Sequence, residues 1–482
     1  MIHWRAVAFI LKFVLVKLAL LLLIPILYAW VIGSASGVSF LLLLLVVCGM
    51  AGLFQYVAGE PPPHWRVQEL FMSTTAAWLL AATLSAIPFL RLVPQLSLTD
   101  AFFESMSGLT TTGSSVLQEL STLAPPLLLW RSLLQWVGGV GFMVMAVALL
   151  PVLDVGGIRL FHTESSDWSE KRVPRMRGVA QQIVGVYLLL TGLCYLGFYA
   201  SGLPQFAAIN HALTTISTGG FSTIEGSIAE FPPAAHWNAT LFMLLASLPL
   251  LLLMQALSKR TPRELMGDQQ VRGFLGLLFV LALILSVRLW SQGHFSLTDS
   301  VRLVCFNLVN ILSTTGYTLG RCHEWSPFST VVFALILVVG GCSGSTVGGI
   351  KLFRLQICLG LFTAHIKRLI HPNAVATPCY NGQPISEGVQ RSVIAFMVAF
   401  FGVIMVIALM LALCGLDPLT ALTGAMATVA NVGPGMGPQV GPNGHFADLP
   451  SLAKWILALG MLLGRLEIMT VLVLLSPTFW KQ

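Results

Sequence analysis

The chain has 482 residues, 56% of them hydrophobic and only 9% charged, with a formal net charge of +7. A water-soluble globular chain carries about 25% charged residues, so this composition excludes a soluble fold and points to a chain solvated mostly by lipid. The basic surplus does not indicate nucleic acid, because its distribution follows membrane topology.

With the N-terminus in the cytoplasm and the apolar segments alternating, the outer segments hold Arg91, Arg131, Arg288, Arg302, Arg321 and Lys454. Lys351 and Arg465 fall inside membrane segments, and the remaining Lys and Arg lie on the inner side. That excess is the positive-inside pattern. The eight cysteines form no CxxC pair, so neither a metal site nor a disulfide framework is indicated.

Residues 1–60 read as a hairpin of two transmembrane helices, at 9–32 and 38–58, closed by Gly59-Glu60-Pro61-Pro62-Pro63. The first apolar run is about twice the usual 7–15 residues of a secretory h-region, so a retained helix is expected. Four units of one plan follow, over 67–155, 176–258, 270–371 and 388–478. Each reads as an outward helix, a short re-entrant segment and an inward helix. In the first unit these are 70–92, 98–118 and 127–153. The apolar stretch of each re-entrant segment is only about 12–16 residues, too short at ~1.5 Å per residue to cross ~30 Å of hydrocarbon. Irregular backbone at membrane depth is tolerated where it lines a water-filled path or is buried in protein. The expected fold is therefore an all-α polytopic membrane protein, with four M1–pore loop–M2 repeats around one central pore and a two-helix hairpin before them.

A short motif recurs at the end of each re-entrant segment. The copies are Thr110-Thr111-Thr112-Gly113, Ser217-Thr218-Gly219-Gly220, Ser313-Thr314-Thr315-Gly316 and Asn431-Val432-Gly433-Pro434. A cation leaves its water only where oxygens replace it on all sides, and rings of backbone carbonyls do this in potassium filters. Glycine lets such a strand take positive φ without a Cβ clash. The carbonyls of Thr110, Thr111, Thr112 and Gly113 are the candidates in the first copy. Ser217, Thr218 and Gly219 match them in the second, Thr314, Thr315 and Gly316 in the third, and Asn431, Val432 and Gly433 in the fourth. The fourth copy departs from the threonine-rich pattern, so the four-fold symmetry is imperfect. Asp100, Asp299 and Asp417 stand near the start of three re-entrant segments, where helix capping is the expected role. His211, in the second, reads as a packing residue.

The third inward helix contains Gly340, Gly341, Gly344, Gly348 and Gly349 within ten residues, with Ser345 among them and Lys351 just after. At about 1 kcal/mol per glycine relative to alanine, such a run does not remain regular helix easily. An unwound segment over 340–350 would lie under the filter and could plug the path; a glycine kink with close helix packing is the other reading. Arg465 lies at the same depth in the last helix, where a charge normally faces a cavity or a partner. It can narrow the pore beside the loop or form a static ion pair.

These features make the chain resemble the TrkH-type members of the Trk/Ktr/HKT superfamily of potassium transporters, over essentially the whole length. The resemblance implies potassium uptake through one pore per chain, with potassium ions as substrate, bound at the filter residues. It assigns 340–350 as an intramembrane gate and Arg465 as the cation beside it. It further implies no enzymatic activity, no cofactor in this chain, a homodimer in the bacterial inner membrane, and a cytoplasmic ring of nucleotide-binding TrkA-like regulatory subunits. The basic stretches 171–177 and 259–263 would be docking surfaces for that ring. In these relatives a serine in place of the first filter glycine goes with sodium permeability; the glycines here are read as Gly113, Gly219, Gly316 and Gly433. The alternative mechanism is a potassium symporter coupled to sodium or protons.

Overall fold

The computed structural model describes residues 3–59, 66–153, 172–259, 262–320, 322, 325–441 and 445–481. Residue 171 of the basic stretch 171–177, and residues 260 and 261 of the stretch 259–263, lie outside the described residues.

The described chain is almost entirely helical, and the helices follow the four-repeat plan. Trp4–Val31 and Gly37–Ala58 form the leading hairpin. The outward helices are Val67–Ser85 with its continuation Ile87–Leu92, then Arg172–Ala200, Gln269–Ser291 and Glu387–Leu413. Their outer faces stay apolar and exposed, as at Phe279, Leu283, Val398 and Leu409. In water such faces would be a liability; in a bilayer they meet acyl chains. Among the described residues, six helices are long and apolar enough to cross a membrane, or eight if two bent pairs each count as one span. Among the described residues, one strand pair, Cys379–Tyr380 with Gln383–Pro384, lies in the connection between the third and fourth repeats.

The four re-entrant helices are Leu98–Leu109, Gln205–Ile216, Leu297–Leu312 and Pro418–Val429. Three begin at the acidic residues noted above, with Ser97, Ser296 and Asp417 as the N-caps. Ser97 and Asp100 form a capping box, the Ser296 hydroxyl accepts from the Asp299 N–H, and Asp417 is itself the cap, accepting from the Thr420 N–H at 3.0 Å. The second helix opens on Pro204 without a side-chain cap.

Three inward helices are broken, and only one break was legible beforehand. In the second repeat, Pro233–Ala246 and Leu250–Lys259 meet at a 99° bend rather than forming the single inward helix expected of each unit. Pro249, within the break, has no N–H to continue the helical ladder. In the third repeat, Pro327–Ile336 stops ten residues in, and the helix resumes only at Leu352–Ile370. The unwound stretch thus spans 337–351, wider than the expected 340–350, because Val338 and Val339 leave the helix to pair with Ile350. In the fourth repeat Ser451–Arg465 ends at Arg465 itself, and Met469–Leu475 departs at 115°. Arg465 is therefore a helix-terminal residue and not a mid-helix one. The intact inward helix, Pro125–Leu153, belongs to the first repeat.

Candidate functional site: four pore strands over an unwound loop

The four re-entrant helices end in one backbone pattern. Their last helical residues are followed by Thr110, Ser217, Ser313 and Ala430 in near-helical conformation. The next residue is left-handed in every copy: Thr111 at φ 53°, Thr218 at 53°, Thr314 at 53° and Asn431 at 55°. Two residues later a glycine is again left-handed: Gly113 at 86°, Gly220 at 77°, Gly316 at 81° and Gly433 at 95°. Three of the four left-handed non-glycine positions hold threonine, for which this conformation is a true outlier, costing of order 1–3 kcal/mol each. The same left-handed pair of residues recurs in all four copies, strained at three of them.

This alignment moves the second copy by one residue. Gly220, not Gly219, is the counterpart of Gly113, Gly316 and Gly433; Gly219 corresponds to Thr112, Thr315 and Val432. The doubled glycine hid the register, because Gly219 follows Ser217 and Gly220 follows Thr218 at the same spacing, and only Gly220 adopts positive φ.

The four glycines close a ring. A Cβ on Gly113 would lie 2.2 Å from the carbonyl oxygen of Gly219, and one on Gly220 would lie 2.0 Å from that of Thr315. One on Gly316 would lie 2.0 Å from the Val432 oxygen, and one on Gly433 would lie 2.7 Å from the Thr112 oxygen. Each strand thus presses its glycine on the carbonyl of the next, from copy one through four and back to one. Cross-links seal the join between the last copy and the first: Ser114 Oγ donates to the Gly433 carbonyl at 2.9 Å, and Asn431 Nδ2 donates to Thr112 Oγ1 at 2.9 Å.

A buried polar scaffold stands behind the strands, and sequence reading missed it. Arg131, expected among the outer-segment cations, is 1% exposed. It pairs with the fully buried Glu104 at 2.8 Å, donates to the Ser222 carbonyl at 3.0 Å, and stacks its guanidinium 4.0 Å from the Phe221 ring centroid. Glu104 also accepts from the Val116 N–H at 2.9 Å, so one ion pair ties the chain beyond the first strand to that beyond the second. In the third copy Asn310 brackets Tyr317, accepting from its N–H at 2.8 Å and donating to its carbonyl at 2.7 Å. The Tyr317 hydroxyl reaches Thr214 and Thr215 of the second re-entrant helix at 2.7 and 2.9 Å. His211 is held by the Ala207 carbonyl at 2.8 Å and the Ser222 hydroxyl at 3.1 Å, a packing role in keeping with the reading above. Among the described residues, no group of His, Cys, Asp or Glu could hold a metal ion.

The unwound segment of the third repeat lies against the base of this ring. Gly348 N–H donates to Thr314 Oγ1 at 2.9 Å, and Thr218 Oγ1 contacts Thr346 Oγ1 at 3.3 Å. A Cβ on Gly348 would meet the Ala430 carbonyl at 2.4 Å. The segment therefore touches the second, third and fourth copies at once. Its far side docks on the break in the second inward helix: Cys342 N–H donates to the Ser247 carbonyl and Leu250 N–H to that of Gly344, both at 3.0 Å. The glycine-rich composition has a steric reason here. A Cβ on Gly340 would lie 2.1 Å from the Gly348 carbonyl oxygen, while Gly344 and Gly349 are left-handed.

Arg465, 1% exposed, bridges the segment to the first repeat. Its Nη1 donates to the Thr346 carbonyl at 3.0 Å and its Nη2 to the Gly138 carbonyl at 3.1 Å, with the guanidinium 4.4 Å from the Phe142 ring centroid. It does not pair with Glu467, which binds Arg354 instead. Lys351, also buried, donates to the Val347 carbonyl and stands 5.8 Å from the Phe142 centroid. Lys351, Arg354, Arg465 and Glu467 line a cleft below the segment together with Gly348 and Gly349. Ser345 faces inward and bonds the Cys342 carbonyl at 2.6 Å, which stiffens the turn.

Comparison with known proteins agrees with this architecture. Over residues 53–482 the chain matches the TrkH family, described as a cation transport protein. It is 42% identical to the Trk system potassium uptake protein TrkI of Halomonas elongata, over all of this chain and 98% of that protein. It is 34% identical to the Trk system potassium uptake protein TrkH of Escherichia coli K12 over the full length of both. The crystal structure of the potassium transporter TrkH from Vibrio parahaemolyticus superposes with a TM-score of 0.92 at 32% identity, again over the whole of both chains. These relatives are transporters and not enzymes. With a family match from residue 53 to the last residue and full-length relatives well above 30% identity, the chain belongs to the TrkH family of cation transport proteins.

Proposed function

We propose that this chain takes potassium into a bacterial cell through the pore at the centre of its four repeats. The observation that carries the reading is the closed ring of carbonyls, in which each strand's left-handed glycine abuts the carbonyl of the next. Such a ring can replace an ion's water on all sides. The carbonyls of 110–113, 217–220, 313–316 and 430–433 are the ion ligands. The names of the full-length relatives support potassium as the ion.

In the gating reading, the segment 337–351 closes the path below the ring. Thr346 and Gly348 hold it up against Thr218 and Thr314, and Arg465 pins it with a positive charge on the ion's route. Opening requires the segment to leave those contacts. A separate cytoplasmic nucleotide-binding ring supplies that work, and two copies of the chain assemble side by side in the inner membrane with N-termini inside. The driving force is the membrane potential, worth ~2.3 kcal/mol per charge per 100 mV.

The test is potassium-limited growth of an uptake-deficient bacterial strain expressing this chain with a regulatory ring subunit, beside Gly113→Ser. Rescue by the parent chain and its loss or sodium sensitivity in the variant are expected. Absence of rescue by the parent chain refutes potassium uptake as the function.

A further inference from the structure

We propose that Gln135 serves as a substitute side chain for the second pore strand, and that it sets cation discrimination by holding the Gly219 carbonyl. The inference rests on the pore reading above and deepens it. Across the four aligned copies, the residue before the left-handed glycine is Thr112, Gly219, Thr315 and Val432. Three carry β-branched side chains, and one carries none. The space beside Gly219 is nevertheless full. A Cβ there would lie 2.4 Å from Cδ, 2.5 Å from Oε1 and 2.8 Å from Nε2 of Gln135.

Gln135 comes from the unbroken inward helix of the first repeat and is fully buried. Its Nε2 donates to the Gly219 carbonyl at 2.7 Å, and its Oε1 accepts from the Phe221 N–H at 3.1 Å. A carbonyl at one residue and an N–H two residues on are the pair that a neighbouring strand would engage. The side-chain amide therefore acts as one rung of a ladder beside the second strand. In the first and third copies a local hydroxyl occupies this position: Thr112 bonds Thr110 at 2.8 Å, and Thr315 bonds Ser313 at 2.7 Å. Glycine cannot do so, and the first repeat provides the missing group.

The consequence concerns the ring. The Gly219 oxygen is the one against which Gly113 packs, so it belongs to the same layer as the Thr112, Thr315 and Val432 oxygens. A donor bonded to that oxygen fixes its direction and draws off part of its field, whereas a freed carbonyl can move in toward a smaller ion. Gln135 touches no ion in this scheme and is a positioning residue.

The experiment compares rubidium and sodium uptake into proteoliposomes, with the regulatory ring subunit supplied, for four chains: the parent, Gln135→Met, Gly219→Thr and the Gln135→Ala/Gly219→Thr double variant. The Met variant keeps volume and removes both hydrogen bonds, so the ion ratio is expected to fall about fivefold, the scale of one neutral hydrogen bond. Gly219→Thr alone is expected to lose transport, since its side chain and Gln135 claim one space, and the double variant is expected to recover it. A Met variant with the parent's ion ratio overturns the proposal, as does a double variant no better than Gly219→Thr. Purified yield and melting temperature of the Met variant separate the ion-ratio effect from a general loss of fold. A parent chain with no preference for rubidium over sodium rejects the pore reading itself. In that case the melting temperatures of the same chains still report whether Gln135 and Gly219 are coupled.

Discussion

Gly220→Ala tests the register of the second strand and the closure of the ring together. Gly220 sits at φ 77°, where a Cβ costs about 1–2 kcal/mol. The added carbon would lie 2.0 Å from the Thr315 carbonyl oxygen, against an ordinary contact of 3.4 Å or more. The two strands must then separate by roughly 1.4 Å at this layer, since the Cβ is fixed by its own backbone, the oxygen is itself backbone, and no flexible side chain can yield. The backbone term alone corresponds to about a tenfold change in an equilibrium constant. Potassium over sodium discrimination, read as uptake of each ion into proteoliposomes, should fall by at least that factor, and Gly113→Ala should behave alike because its Cβ would meet the Gly219 oxygen at 2.2 Å. Parent-like uptake and discrimination in Gly220→Ala would refute both the alignment and the ring.

Other expectations follow from the contacts around the ring. Arg465→Gln removes the charge from two hydrogen bonds, each worth about 1.5–3 kcal/mol when charge-assisted, so ion flux without any regulatory partner should rise tenfold or more; unchanged flux would remove Arg465 from the gate. Glu104→Gln leaves the Arg131 charge buried without its partner, a loss of about 3–5 kcal/mol, and detergent-solubilised protein should melt far lower or fail to accumulate. Asp417→Ala removes the cap of the fourth re-entrant helix at a cost of about 1 kcal/mol, measurable as a small drop in melting temperature. The bond with Thr420 holds the Asp417 carboxyl below its ordinary value of 3.8. Its capping contribution is thus complete above that value and is lost as pH falls through the lower folded pKa, so the parent and Asp417→Ala should converge in stability under strong acid.

The overall plan was legible because membrane insertion constrains sequence directly. Apolar run length reports a crossing, a run too short to cross reports a re-entrant helix, and Asp100, Asp299 and Asp417 announce the starts of three such helices. The four strand motifs and the glycine run in the third inward helix were visible for a related reason. Positive φ and close backbone approach demand glycine, and its recurrence survives where other similarity does not.

What remained hidden depended on contacts between distant segments. Two adjacent glycines, Gly219 and Gly220, are equivalent as letters and become distinct only when one packs on Thr315 and the other receives Gln135. Arg131 read as a topological charge because nothing local places it opposite Glu104, 27 residues earlier, and beside Ser222 of another repeat. The break after Arg465 is likewise tertiary, and at the break after Ala246 Pro249 interrupts the ladder locally while contacts with the third repeat set the bend. The Ser247 carbonyl accepts from the Cys342 N–H and the Leu250 N–H donates to the Gly344 carbonyl, bonds across segments in place of those a continuous helix would have kept, and Glu467 leaves the last helix to meet Arg354. Lipid selects for apolar length and glycine position one segment at a time, so sequence alone determined the crossings, the four strands and the interrupted helix. Which carbonyls face one another, and what holds them, was decided only where four repeats close on one axis.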